Sequence, residues 1–445
     1  MKKVLDWVKG HIVIVISCVV IVVVLPVAYV ISSGMLRSFQ EEQQNTISQA
    51  QRRLAGLEVS YTLPAAGPGV EAVTVQALPN ERRTAWFREA LRERMADVAA
   101  VTEQGIEFNR KGYEPLVGGL FPAPASDVDR QVRPYDLLRL LVGSGGADGR
   151  PSLYITMLEE ARAGMPPAPE RVAEALRRER SEFLADIERE GGGGQLTVED
   201  RRRLEQRLRD ARIARYAQTA RRLSFYAEPD LLLRAARAAG LPSSASMQTP
   251  PRPAVLFGYQ FDFWVLSEIT AAITRINTSE TGRRLSIDES PIKRIVSIQL
   301  EPLPVNQPQR ERGGFGLEEP GETTGVQLQE VNGVVQRDPD ATNTLTGRAS
   351  NPRYDIRPVT ISMVVDSSRI PEIIEGFRRR NFMAVSDLQL SSVDVWEDLN
   401  QGFYYGPGHV IRATMTIETA WLRAWTRGLM PSDFKRLMGI QDGEG

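Results

Sequence analysis

The sequence predicts a mixed α+β protein that is attached to a membrane by one N-terminal helix. Three observations lead to this class. Residues 12–36 carry no charge, and residues 81–240 have mainly helical periodicity. After residue 254 the apolar residues begin to alternate with polar ones, as they do in strands. The chain has 445 residues, enough for two to four structural units.

Composition excludes several kinds of functional site. Apolar residues make up 42% and charged residues 25% of the chain, and the net charge is −1, so bulk charge does not predict binding to polyanions. One cysteine cannot build a disulfide framework or a Cys-rich zinc site. Two histidines, His11 and His409, leave little room for metal or acid–base chemistry. We therefore expect no cofactor, no metal and no enzymatic activity.

Residues 12–36 are predicted to be the transmembrane anchor. At 1.5 Å per residue this segment gives about 37 Å of helix, more than the roughly 30 Å hydrocarbon core of a bilayer. The alternative is a cleaved signal peptide. The apolar run is longer than the usual signal core of about 7–15 residues, and no clear A-x-A cleavage site follows it.

Flanking charge predicts the orientation of the anchor. Lys2, Lys3 and Lys9 precede it, whereas only Arg37 follows closely before acidic residues. Because positive charge favours the cytoplasmic side, residues 1–11 are expected to form a cytoplasmic tail. The rest of the chain then lies outside the cytoplasm.

Residues 37–61 are predicted to form a coiled-coil stalk. Apolar side chains recur there at spacings of three and four, with polar Gln43 filling one gap. The stalk would pair two chains. The alternative is one amphipathic helix that rests on its own domain. The apolar positions are Leu36, Phe39, Ile47, Ala50, Leu54, Leu57 and Tyr61.

Residues 81–240 are predicted to form a helical domain, after a Gly- and Pro-rich break at 62–80. It contains a helical hairpin with arms at 169–190 and 197–223, separated by four glycines. Thr197 and Asp200 provide a capping start for the second arm. Seven acids and five arginines give 170–190 a net charge of −2, whereas nine arginines and four acids give 196–225 a net charge of +5. The arms therefore complement each other, and we reject nucleic-acid binding because the basic arm lacks interleaved aromatic residues.

Residues 241–253 are predicted to be a linker into a C-terminal domain at 254–420. Strands are expected at Tyr259–Phe263, 295–300, 359–365, 382–390 and 411–417, and helices at 265–276 and 370–377, the latter capped by Ser368. This order predicts a ferredoxin-like sheet, βαββαβ with a closing strand. Residues 303–351 are predicted to be a disordered insertion, and 421–445 a C-terminal tail.

The stretch RPVTISMVVDSSRIPEIIEGFRRRNFMAVSDLQLSSVD, residues 357–394, carries a resemblance to a known family. Together with the anchor and the stalk it resembles the PilO and GspM proteins, inner-membrane assembly components of type IV pili and type II secretion systems. The resemblance implies a scaffold that forms a homodimer, or a heterodimer with a related bitopic assembly protein. The chain departs from the family in its length and in the block 81–239, which has no counterpart there.

The sequence also nominates interface residues. On the stalk they are Leu36, Phe39, Ile47, Leu54 and Leu57. Between the last two strands they are Trp396, Phe403, Tyr404 and Tyr405, because aromatic side chains on a loop are frequent interface anchors. The alternative is that these aromatic residues cap the open end of the sheet. Trp421, Trp425 and Phe434 likewise predict either a docking segment or a last helix that covers the sheet.

Three functional hypotheses follow. The first is a scaffold acting through protein–protein contacts in the membrane, with lipid as its surroundings and no small-molecule substrate. The second is a membrane-anchored envelope sensor or ligand-binding module, which a pocket among the central helices would favour. The third is an extracytoplasmic enzyme. The glycine-rich run at 143–149 lacks the spacing of a phosphate-binding P-loop, so we interpret it as a flexible loop.

Overall fold

The computed structural model describes residues 12–57, 59–65, 71–78, 80–144, 149–189, 196–306, 328–331, 334–337, 346 and 348–440. The predicted cytoplasmic tail, the four glycines of the hairpin and most of the predicted insertion lie outside these ranges. The chain divides into two compact units, Met1–Gln104 and Gly105–Gly445. The predicted linker at 241–253 lies inside the second unit.

The first unit contains a long helix, a small hairpin and most of a second helix. Helix α1 spans Ile12–Ala55, 44 residues or about 66 Å. Strands β1 (Val59–Leu63) and β2 (Val73–Ala77) are antiparallel, and helix α2 spans Glu81–Arg110. The predicted stalk is helical only as far as Ala55, because the chain turns at residues 56–57 and then enters β1. Tyr61 is thus a strand residue.

The second unit combines the remaining helices with the main sheet. Helix α6 begins at the capping box that Thr197 and Asp200 form, which confirms that feature of the sequence. The helices are α3 (Asp127–Val142), α4 (Leu153–Glu160), α5 (Pro169–Arg189), α6 (Val198–Ala220), α7 (Leu231–Ala238), α8 (Pro253–Ile276), α9 (Ile370–Arg378), α10 (Val395–Asn400), α11 (Arg423–Thr426) and α12 (Ser432–Leu437).

The main sheet has six strands in the order β3-β4-β5-β8-β10-β9. Its four longer strands, β5, β8, β10 and β9, pair with one another in antiparallel orientation. The two short strands β3 and β4 extend the sheet beyond β5 in parallel orientation. A separate hairpin, β6–β7, lies within the predicted insertion. The strands are β3 (Ala163–Gly164), β4 (Phe225–Tyr226), β5 (Ile292–Leu300), β6 (Leu328–Val331), β7 (Val334–Arg337), β8 (Tyr354–Asp366), β9 (Ala384–Ser392) and β10 (Val410–Leu422).

The predicted strand at Tyr259–Phe263 is wrong, because these residues belong to α8. This helix is buried on nearly all sides, so its polar residues do not mark a solvent-facing side. Gln260 accepts a hydrogen bond from the Leu116 amide at 2.8 Å, and Asp262 pairs with Arg357 at 2.7 Å. The alternation of aromatic and polar residues therefore reflects polar side chains that are buried against partners in other parts of the protein, not a strand.

The start of α9 also differs from the prediction. No side chain caps α9 itself, and Ser368 lies in a short 3-10 turn, Ser367–Arg369, that precedes the helix. Asp366 caps that turn by accepting the Ser368 amide at 3.0 Å. Helices α8 and α9 then approach closely at Gly376, where a Cβ atom would lie 2.3 Å from Cγ1 of Ile276. Any other residue at position 376 would require the Ile276 side chain or one of the two helices to move.

The C-terminal residues cover the core of the second unit. Trp421 is fully buried in β10, and Phe434 of α12 is 1% exposed. Their rings belong to an aromatic cluster in which Phe434 lies 4.8 Å from Phe257, and Trp421 lies 5.4 Å from Phe261. The segment 421–440 is therefore packed rather than a free tail, in agreement with the covering alternative.

Candidate interaction surfaces

The stalk part of α1 presents a row of exposed apolar side chains, which we call the stalk seam. The seam positions up to Leu54 lie on one side of the helix. Leu57 lies in the turn that follows. All five nominated side chains are more than half exposed: Leu36, Phe39, Ile47, Leu54 and Leu57. A helix of this kind is stable in water when a partner covers its apolar side.

The β1–β2 hairpin is also largely uncovered. Val59, Val73 and Val75 are all exposed, and the hairpin has only two strands. Two-stranded hairpins are marginally stable in isolation. Tyr61 provides its contact with α2, by stacking on Phe87 at 4.9 Å.

Helix α2 carries exposed apolar side chains in the first unit. Leu91, Met95 and Val98 fall at helical spacing on one side of it, Trp86 lies on a different side, and all four are exposed. Trp86, Met95 and Val98 are each at least 60% exposed. Together with the stalk seam, they give the first unit far more exposed apolar surface than scattered surface residues would produce.

In the second unit the β9 strand ends the sheet. It pairs with β10 only, so its other edge presents unpaired backbone groups among the described residues. Its last four residues are exposed, with Leu390 at 53%. Trp396 lies shortly after this strand on α10 and is 77% exposed. We call β9 together with Trp396 the β9 edge.

The four nominated loop aromatic residues differ in how exposed their side chains are. Trp396 is exposed and Tyr404 is half-buried, but Phe403 and Tyr405 are only 5% and 2% exposed. Their rings lie 5.1 and 6.2 Å from the ring of Tyr226 on β4. Phe403 and Tyr405 are therefore covered by their own chain, as the capping alternative expects, and cannot act as exposed anchors.

Charged groups hold this cap in place. Arg294 of β5 lies over the Phe403 ring at 3.6 Å and donates to Asp398 at 3.1 Å. The Tyr405 hydroxyl donates to the other oxygen of Asp398 at 2.8 Å. Burial raises the pKa of Tyr405, so its phenol stays protonated and continues to donate. These contacts attach the segment between β9 and β10 to strand β5.

Asn109 fixes the end of α2 within the second unit. Its side-chain amide nitrogen donates to Asn381 and to the Ala420 carbonyl, both at 2.7 Å. Its side-chain oxygen accepts from the Leu422 amide at 2.8 Å and from the Trp425 indole at 2.7 Å. Every polar group of this buried side chain is thus satisfied. Sequence periodicity gave no signal for it, because its partners lie about 300 residues away.

Buried charges form three further groups. Glu268 of α8 is fully buried and accepts from Lys111 at 3.0 Å, from Arg380 at 2.7 Å and from the Tyr113 hydroxyl. Asp262 pairs with Arg357, and burial, partly opposed by that arginine, raises the pKa of Asp262 to about 6. A third pair, Asp355 and Arg423, is buried beside the sheet.

Side chains with metal-binding or catalytic character are not gathered into a recognisable centre. Among the described residues, no group of three or more His, Cys, Asp or Glu side chains could hold a metal ion. His409 is exposed, and its Nδ1 lies 3.1 Å from the Ser367 hydroxyl. The buried Asp262–Arg357 and Asp355–Arg423 pairs tie helices to strand β8.

Comparisons with known proteins give only distant matches. No family model matches the chain, and no curated protein matches it. Three solved structures from Akkermansia muciniphila are similar to parts of it. One, determined without its transmembrane region, is 6% identical, with 41% of this chain and 66% of that chain covered, at a TM-score of 0.22. The second is the structure of a core domain and is 9% identical to this chain. The match covers 41% of this chain and 69% of that chain, at a TM-score of 0.22. The third structure is 8% identical to this chain. The match covers 67% of this chain and 96% of that chain, at a TM-score of 0.24. Such TM-scores do not establish a shared fold or function.

Proposed function

We propose that this protein is a single-pass membrane scaffold that acts by pairing with a second copy or with a related single-pass protein. The observation that most supports this proposal is that α1 is continuous. One unbroken helix runs from a segment long and apolar enough to cross a membrane into the exposed stalk seam. A cleaved signal sequence can also form an apolar helix near the N-terminus, so the anchor is part of the proposal.

The length of α1 supports this arrangement. About 30 Å of its roughly 66 Å would be needed to cross the hydrocarbon core. The remaining half would extend into water, where exposed Ile and Leu side chains are costly unless another chain buries them. Pairing through the stalk seam would remove that cost. Flanking charge would place the paired region outside the cytoplasm.

The sheet of the second unit supports the suggested family. Strands β8 and β9 are both antiparallel to β10 and lie on either side of it, with α9 connecting them. This is a split βαβ unit, to which α8 and β5 add a second helix and strand. We propose that it is a ferredoxin-like sheet whose first strand is placed last in the chain. Such a sheet fits a PilO- or GspM-like scaffold in a pilus or secretion assembly of the inner membrane, without catalysis.

Co-precipitation of two differently tagged copies from solubilised membranes tests the pairing. In the seam variant Ile47→Glu/Leu54→Glu, carboxylates replace apolar side chains seven residues apart. Burying two unpaired carboxylates is strongly unfavourable, so we expect recovery of the second copy, or of a single-pass partner, to fall at least fivefold.

The matched control is Asn45→Glu/Arg52→Gln. It changes the charge by the same amount at two positions also seven residues apart, on the opposite side of α1. We expect it to associate like the unmodified chain. The proposed function fails if the unmodified chain co-precipitates neither a second copy nor a single-pass protein. It also fails if the seam variant co-precipitates as much of either as the unmodified chain does.

A second candidate function is favoured by one observation. A cleft lies among the central helices α3, α4 and α7. That is the feature expected of a membrane-anchored ligand-binding module.

A further inference from the structure

Helix α2 carries a row of exposed apolar side chains, which we call the α2 seam. The row advances by four, three and three residues, along the part of α2 that belongs to the first unit. Its side chains are between 38% and 68% exposed, and its members are Leu91, Met95, Val98 and Val101. They cover about 120° of the helix circumference, which is the usual width of an apolar stripe that faces a packing partner.

The α2 seam is set apart from the charged residues around it. Four of the eleven residues from Leu91 to Val101 are charged, and of these only Arg94 lies on the side of the seam. An arginine can lay its aliphatic stem along apolar neighbours while its guanidinium group stays in water. Contiguous apolar surface of this kind on a polar helix marks an interaction site more often than single exposed apolar residues do.

The stalk seam by itself is small for a pairing interface. Burying one Leu- or Ile-sized side chain removes on the order of 100 Å² of apolar surface from water. The five stalk-seam side chains are between 53% and 59% exposed. Their pairing would therefore bury roughly 300 Å² of apolar surface on each chain. A standard interface buries about 800 Å² on each partner, of which the apolar part is roughly 500 Å².

The α2 seam supplies the missing area. By the same measure its four side chains would bury roughly 200 Å² more on each chain, which brings the two seams together to the apolar part of a standard interface. A second copy carries both seams on the same unit. Pairs of identical chains use the same patch on both partners, so one seam on each copy is sufficient for a symmetric contact.

We infer that the α2 seam packs against the α2 seam of a second copy, as a second contact in the pair that the stalk seam forms. This inference rests on the proposed function. It adds to that function a second contact surface, and it selects a second copy of this chain over a related single-pass protein as the partner.

Cysteine cross-linking of the full chain in native membranes tests the inference. Cys18 is the only cysteine, so Cys18→Ser gives a background without thiols. Met95→Cys and Val98→Cys each place one thiol in the α2 seam, and Ala100→Cys, exposed on the opposite side of α2, is the matched control. With a short bismaleimide we expect a covalent dimer from at least one seam position at several times the control yield.

Ile47→Cys in the same background reports the stalk contact separately. A dimer from position 47, with no dimer from positions 95 and 98 above the control, overturns the inference and leaves the proposed function intact. Adducts from neither seam, with a second copy or any other single-pass protein, contradict both. An α2-seam adduct with a different protein, identified by mass spectrometry, overturns the choice of a second copy.

A pair of double variants tests the energetic contribution of the α2 seam. Met95→Glu/Val98→Glu places two carboxylates in the seam, whereas Ala96→Glu/Ala100→Glu places two on the other side of α2, where both alanines are exposed. Because burying unpaired carboxylates is unfavourable, co-precipitation of a second tagged copy should fall by roughly threefold or more in the seam variant only. Circular dichroism checks that both variants are folded. Equal recovery of the second copy with the two variants contradicts the inference.

Discussion

Lys293 lies near the start of β5 with its ammonium group buried inside the protein. Its Nζ donates to the carbonyls of Ile287 at 2.7 Å and Asp288 at 2.9 Å, and the residue is 1% exposed. Burial, opposed mainly by the nearby carboxylates, lowers the pKa of Lys293 to about 8. The charged groups that act on it are Asp366, Asp288, Arg369 and Glu289.

This lowered pKa predicts a pH dependence of stability. Between about pH 8 and the usual lysine range, the unfolded chain binds a proton that the folded chain has released. The free energy of unfolding should therefore rise with pH in this window, by up to about 3 kcal/mol. Denaturation of the unmodified chain and of Lys293→Met at pH 7 and pH 10 isolates the effect. A difference between the two proteins that stays constant with pH contradicts it.

Single residues were predictable where their partners lie nearby in sequence. Thr197 and Asp200 form the expected capping box because both partners lie in one helical turn. Phe403 and Tyr405 could not be assigned in the same way, since their burial depends on Tyr226 and Arg294, which lie far away in sequence. Trp396 stays exposed and remains a candidate interface residue.

At the scale of elements, the attachment of α2 to β10 depends on Asn109. Asn109→Ala should lower the free energy of unfolding by about 2–4 kcal/mol, because the Leu422 amide, the Ala420 carbonyl and the Trp425 indole lose a buried partner. Chemical denaturation monitored by tryptophan fluorescence measures the loss. Glu107→Ala, an exposed position one helical half-turn earlier, is the control and should change little. Equal stability of the two variants would exclude this role for Asn109.

Element types followed from periodicity wherever one side of the element faces water. In β8 and β10 buried apolar residues largely alternate with less buried ones, because one side of each strand packs against the core. The hairpin arms α5 and α6 carry apolar residues at helical spacing. Helix α8 was misassigned at Tyr259–Phe263 because burial on nearly all sides removes the contrast between apolar and polar positions. Strands β3 and β4 have two residues each, too few to produce any pattern.

At the scale of the whole molecule, the sequence predicted an α+β chain with a long apolar N-terminal helix and a C-terminal sheet, and the structure has both. The division near residue 104 could not be predicted, because it falls within a continuous helix. The cleft could not be predicted either, since its lining comes from segments that only folding brings together. The stalk seam, by contrast, is a local pattern and was visible from sequence alone.

Pairing through the stalk seam is the central claim, and photo-cross-linking in native membranes tests it most directly. The full chain would carry benzoylphenylalanine in place of Ile47, or in place of Asn45 on the opposite side of α1, and the adducts would be identified by mass spectrometry. The account predicts a strong adduct from position 47 with a second copy or a single-pass partner, and a much weaker one from position 45. Monomers alone at position 47, or equal adducts from both positions, would contradict it.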